Sequence, residues 1–98
     1  MPYNVIVKEE AFADALTAYL YYEHQLEGLG DRFIAELNFR YRQLAENPHY
    51  FSYVYADKGR NRRDVLLKKF PYLVVFEVIG SDVIVYSVLN TSREARKA

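Results

Sequence analysis

The chain has 98 residues, of which 51% are hydrophobic, 16% aromatic and 27% charged; this is one globular domain's worth of sequence, too short for a two-domain enzyme and too apolar for intrinsic disorder. It has no cysteine and only two histidines, which excludes a disulfide framework and a thiolate zinc site and leaves no metal or cofactor to expect. The zero net charge hides a split: residues 1–57 hold four basic and nine acidic residues, residues 58–98 nine basic and four acidic, so the second half is suited to phosphates or an acidic peptide.

In chain order, YNVIV at residues 3–7 predicts a short strand. From Lys8 the apolar residues Phe12, Ala15, Leu16, Tyr19, Tyr22 and Leu26 follow the three-and-four spacing of one helical face. Glu9, Glu10 and Asp14 suit the positive end of that helix. LEGLGD ends it, with Gly28 and Gly30 expected to adopt the left-handed conformations of a tight turn. A second helix places Phe33, Leu37, Tyr41 and Leu44 on one stripe, widened by Ile34, and Asn47-Pro48 stops it, since a residue before proline is pushed out of helical geometry.

After Pro48 the period becomes two. Phe51, Tyr53 and Tyr55 alternate with smaller residues and predict a strand, DKGRNRR a basic loop, and RDVLLKK at 63–69 a further strand. YLVVFEVI at 72–79 is apolar enough for a central strand covered on both faces. Gly80-Ser81 fits a two-residue hairpin turn, and VIVYSVL at 83–89 returns antiparallel. The order β-α-α-β-β-β-β predicts an α+β fold, a helical hairpin packed on one face of a small, mainly antiparallel sheet. Its other, concave face is the expected site.

LLKKFPYLVVFEV at 66–78, VIVYSVLNTSRE at 83–94 and YYEHQLEGLGDRFIAEL at 21–37 together resemble toxins of bacterial type II toxin-antitoxin modules, in the RelE/ParE superfamily. The resemblance spans nearly the whole chain as one domain, residues 1–98. It implies a plasmid-stabilisation toxin that inhibits growth and is neutralised by a cognate antitoxin, with a homodimer or a toxin-antitoxin hetero-oligomer left open. RelE-like members cut messenger RNA on the ribosome with basic residues on the central strands and a Tyr or His near the C-terminus; ParE-like members are associated with poisoning DNA gyrase. Here the residues after Arg93 are EARKA, position 90 is Asn, and residues 72–79 contain no Lys or Arg. These departures favour the ParE-like branch, with ribosome-dependent mRNA endoribonuclease, or a non-toxic binding module on the same scaffold, as alternatives.

Cleaving RNA requires a base, an acid and cations to stabilise the phosphorane-like charge. Arg63, Lys68, Tyr86 and Arg93 are the catalytic candidates if the chain is an enzyme. Arg60, Arg62, Arg63, Lys68, Lys69, Asn90, Ser92 and Arg93 are the candidates for binding the target or the antitoxin. Arg93 stands out because it follows the last strand beside Asn90 and Ser92. The competing reading of the 58–69 run is a solvated edge kept soluble by charge. His24 and His49 read as solvated or hydrogen-bonded histidines, and Ser87 has no partnered histidine for a triad. The antitoxin is expected to place acidic residues against Arg60, Arg63 and Lys68, with apolar anchors between them. No stretch approaches the ~20 apolar residues of a membrane span, and the N-terminus lacks a signal pattern, so a soluble, cytoplasmic protein without membrane contact is expected.

Overall fold

The computed structural model describes residues 2–51 and 62–92. Strand β1 (Asn4–Val7) leads into helix α1 (Glu9–Gln25) and helix α2 (Leu29–Glu46). A single 3-10 turn, Pro48–Tyr50, follows, and then strands β2 (Arg62–Leu66), β3 (Tyr72–Ile79) and β4 (Asp82–Asn90). These four strands form one mixed sheet in the order β1-β4-β3-β2. β1 runs parallel to β4, and β2-β3 and β3-β4 are antiparallel. The strand expected from Phe51 through residue 56 falls, beyond Phe51, outside the described residues.

The helices cover one face. Phe33, Leu37 and Leu44 of α2 meet Val65, Tyr72, Val74, Phe76, Val83, Val85 and Val88 of the sheet in one buried cluster. Phe33, Tyr22, Phe70 and Tyr72 hold its end together with edge-on ring contacts 4.9–6.2 Å between centroids, the geometry that aromatic quadrupoles favour. α2 buries the stripe that its spacing predicts, with Ile34 and Tyr41 half-buried at its border.

α1 differs from its expected orientation. Its buried residues are Ala11, Ala15 and Ala18, while Phe12 is 65%, Leu16 48% and Leu20 57% exposed. The buried strip is thus displaced by about 100° around the axis from the large apolar residues, one residue's rotation. Small side chains let the helix backbone lie close to β4 and α2, and the bulky ones are left on the outside.

Gly28 takes φ +89° and turns the chain between the helices. Gly30 instead lies buried inside α2, where an added Cβ would sit 2.7 Å from the Tyr19 carbonyl oxygen; the expectation of a left-handed conformation there is corrected, because closeness rather than dihedral freedom demands the glycine. Neither helix has a side-chain N-cap at its own N-cap position. Glu23 of α1 supplies one from outside, its carboxylate accepting the N–H groups of Gly28 and Gly30, both at 2.9 Å, and so satisfying donors at the start of α2.

β1 is only four residues long and its pairing with β4 ends at Val7-Val85. Past that point Asp14 of α1 takes the place of a neighbouring strand, accepting the Val88 N–H at 3.0 Å. Gly80 takes φ +61° in the β3-β4 turn. Within β4 the register slips, so that Val75 pairs with Ser87 but Phe76 with Val85. Tyr86 is the extra residue of a bulge, and Val83, Val85 and Val88 all reach the core.

Candidate functional site

Residues directly opposed on neighbouring strands share a face, so the register defines what lies on the sheet's outer face, away from the helices. Leu66, Leu73 and Leu89 form one row across β2, β3 and β4; Asp64, Val75 and Ser87 form the next; Arg62, Glu77 and Ile84 the third. The bulge adds Tyr86 beside the third row. Its hydroxyl donates to Glu77 Oε1 at 2.8 Å, and the Arg62 guanidinium lies 4.4 Å from the centre of its ring, a cation-π contact. The Glu77 bond is the main reason the Tyr86 hydroxyl holds its proton above the ordinary value; burial adds to this and Arg62 opposes it. Burial likewise pushes the half-buried Asp64 carboxyl up.

The sequence-predicted residues are distributed over separate surfaces. Arg62 and Tyr86 meet on the outer face. Arg63 shares the side of its core partner Phe76 and donates from Nη1 to the Phe51 carbonyl at 2.8 Å. Lys68 and Lys69 lie beyond the end of β2, so the expected 63–69 strand is corrected to 62–66. Glu36 of α2 accepts both of their backbone N–H groups, which pins this connection to the helical layer while both side chains stay exposed. Lys69 borders an apolar notch with Leu29, Arg32 and Phe70.

Asn90 closes the end of the β3-β4 pair, donating to the Tyr72 hydroxyl at 3.2 Å and accepting the Ser92 N–H at 2.7 Å. Arg60 and Arg93 lie outside the described residues. Of the catalytic candidates, then, Arg63, Lys68 and Tyr86 are not brought together: one faces inward beside Phe51, one sits by α2 and one is held by Glu77 on the outer face. His24 is exposed on α1, and His49 packs edge-on against Tyr3 at 5.9 Å.

Sequence reasoning missed a second surface. Val7, Phe12, Ala15, Leu16, Ile34, Leu37, Asn38 and Tyr41 line a groove of about 260 Å³ between the helices. The Tyr41 hydroxyl is buried there without a hydrogen-bond partner among the described residues. Ala11, Ala15 and Ala18 at helical spacing carried the signal that α1 would turn its small residues inward. Among the described residues no helix is long and apolar enough to cross a membrane, and no three His, Asp or Glu side chains are grouped to hold a metal ion.

No curated protein matches the chain closely enough to be informative. A solved chain from the chromosomal ParDE TA system from P. aeruginosa is similar in fold, with a TM-score of 0.78 at 13% identity over 92% of this chain and 97% of that one. The family model for the ParE toxin of the type II toxin-antitoxin system, parDE, matches residues 5–95, which takes in both helices, strands β2, β3 and β4, and all of β1 but Asn4. This chain belongs to the ParE toxin family of type II toxin-antitoxin systems.

Proposed function

We propose that the chain is a toxin that arrests growth in the cytoplasm by binding a macromolecular target, with DNA gyrase the first candidate, and that a cognate antitoxin neutralises it as part of a plasmid-stabilising module. The observation that carries this reading is the family match over residues 5–95. Binding is favoured over RNA cleavage because Arg63, Lys68 and Tyr86 lie on different surfaces and the Tyr86 hydroxyl is already committed to Glu77. A phenol held above its ordinary pKa is a poor general base at neutral pH.

The antitoxin reading gains support from α1. Phe12, Leu16 and Leu20 repeat every four residues on an exposed ridge beside the interhelical groove, the arrangement an amphipathic helix fills with its own apolar residues. Arg32, Lys68 and Lys69 stand at the α2 N-terminal end of the same helical layer, where Tyr22 of α1 meets Phe70 at 4.9 Å. Acidic residues of the antitoxin would set its register there, while the apolar ridge supplies most of the affinity.

Induction of the chain alone in bacteria is expected to stop growth, and co-expression of the short neighbouring reading frame to restore it. Purified protein is expected to inhibit gyrase supercoiling and to leave ribosome-bound message intact. Normal growth with confirmed soluble protein would refute the toxin reading; codon-specific cuts in message would replace gyrase with the ribosome.

A further inference from the structure

The geometry points to the sheet's outer face as a docking surface for a protein, one that lays apolar side chains on the Leu66, Leu73 and Leu89 row and directs a lysine or arginine at Asp64. This rests on the toxin reading and specifies the class of its target and the face that binds it.

The three leucines are aligned across adjacent strands by the register, and Leu66 and Leu89 are 56% and 45% exposed. Ile79, at the far end of the same face, is 53% exposed. Scattered exposed leucines are ordinary on a soluble protein, but an aligned row is a contact strip.

Asp64 lies in the row next to the leucines and is half-buried, yet its carboxylate makes no hydrogen bond or ion pair among the described residues. Arg62, two residues earlier on the same face, is turned to the Tyr86 ring, and Tyr86 in turn is bonded to Glu77. Among the described residues, the cation that these strands place on this face is therefore engaged internally and one carboxylate is left over. A partner that covered the leucine row would also cover Asp64, and burying an unpaired carboxylate is costly unless the partner brings an opposite charge. Complementarity thus calls for a cationic side chain flanked by apolar ones.

The same arrangement argues against nucleic acid. Arg62 is the one cation that β2, β3 and β4 place on this face, and Asp64 and Glu77 accompany it. Among the described residues of this face, phosphates would meet more negative than positive charge. The other described cations of the second half, Arg63, Lys68 and Lys69, lie toward the helical side or beyond the end of β2.

The test compares wild type with a Leu66→Ala, Leu89→Ala double variant, with Asp64→Lys and with the milder Asp64→Asn, each induced over a range of inducer. Folding is verified by circular dichroism and by affinity for the antitoxin. The double variant and Asp64→Lys are expected to need tenfold or more protein for half-maximal arrest, and Asp64→Asn a smaller excess, with antitoxin affinity within twofold of wild type. Folded variants as potent as wild type would overturn the docking surface while leaving the toxin reading intact. A wild type that does not arrest growth would remove both. Binding of a 30-nucleotide RNA or a DNA duplex by wild type at physiological salt, abolished by the leucine variant, would assign the face to nucleic acid and overturn the protein partner.

Discussion

Gly30 and Tyr19 approach so closely that a Cβ on Gly30 would lie 2.7 Å from the Tyr19 carbonyl oxygen and 2.8 Å from its ring. The obstruction is backbone, so it does not yield by rotating a side chain. Gly30→Ala is expected to destabilise the chain by about 1–3 kcal/mol, as overpacking of a close contact does. In a domain of this size each kcal/mol lowers Tm by roughly 4–8 °C. Glu23 works at the same junction, and Glu23→Ala, which strands two N–H groups at the start of α2, is expected to cost about 1–2 kcal/mol. Thermal melts of both variants check this; a Gly30→Ala melt coincident with wild type would mean that the helices separate at no cost.

Tyr41 sets an alkaline limit. Burial first and the Asp14 charge second push its hydroxyl up to about 12 from the ordinary 10.0. The folded chain therefore keeps this proton over a range in which the unfolded chain releases it. Below pH 10 both states keep the proton and the group exacts no cost; as pH rises from about 10 to about 12 the folded state loses stability, by roughly 2–3 kcal/mol at most. Because the hydroxyl is buried without a partner among the described residues, Tyr41→Phe is expected to be neutral or slightly stabilising at pH 7. Urea unfolding at pH 7 and pH 11 should show the variant gaining on wild type at the higher pH. Parallel losses in both proteins would assign the alkaline sensitivity to the other raised tyrosines, Tyr19, Tyr22, Tyr72 and Tyr86.

The clasp of Glu36 on the Lys68 and Lys69 backbone ties the β2-β3 connection to α2. Since the contact is exposed, Glu36→Ala is expected to cost only about 0.5–1.5 kcal/mol in global stability. Its larger effect is local: freeing this segment from α2 should expose two basic cleavage sites. Limited trypsin digestion is expected to cut after Lys68 or Lys69 several-fold faster in Glu36→Ala, with Glu36→Gln intermediate. An unchanged digestion pattern would show that the core contacts of Leu67 and Phe70 hold the segment unaided.

The helices, the β3-β4 hairpin and the family were legible because each rests on local pattern. Phe33, Leu37 and Leu44 recur at one spacing, Asn47-Pro48 stops a helix, and Gly80-Ser81 turns a hairpin. What escaped the sequence depends on partners remote in the chain. Hydrophobicity ranks Phe12 and Leu16 above Ala11 and Ala18, yet close approach to β4 and α2 selects the alanines, so of the predicted face of α1 Ala15 and Tyr22 meet the core while Phe12, Leu16 and Leu26 form a surface. Strict alternation from Val83 and Val85 would send Ser87 inward; the bulge sends Val88 there instead and places Tyr86 beside Glu77 and Arg62. That cluster spans three strands, and no spacing along one of them announces it.

The exposed ridge of α1 gives the sharpest separation of surfaces. Leu16 is 48% exposed and lines the interhelical groove next to Phe12, so replacing it removes little native packing. Leu16→Lys is expected to change stability by less than about 1 kcal/mol, within the range of surface substitutions near a partly covered site. In an antitoxin helix docked along the ridge, the same change would bury an unpaired ammonium against apolar side chains, which interfaces tolerate poorly. Antitoxin affinity, measured by calorimetry, is expected to fall by about two orders of magnitude, equivalent to roughly 2.7 kcal/mol. Growth arrest by the variant alone should match wild type, because the sheet's outer face is untouched, but co-expressed antitoxin should no longer restore growth. A variant that is still neutralised, with unchanged affinity, would move the antitoxin off α1 and toward the notch formed by Leu29, Arg32, Lys69 and Phe70.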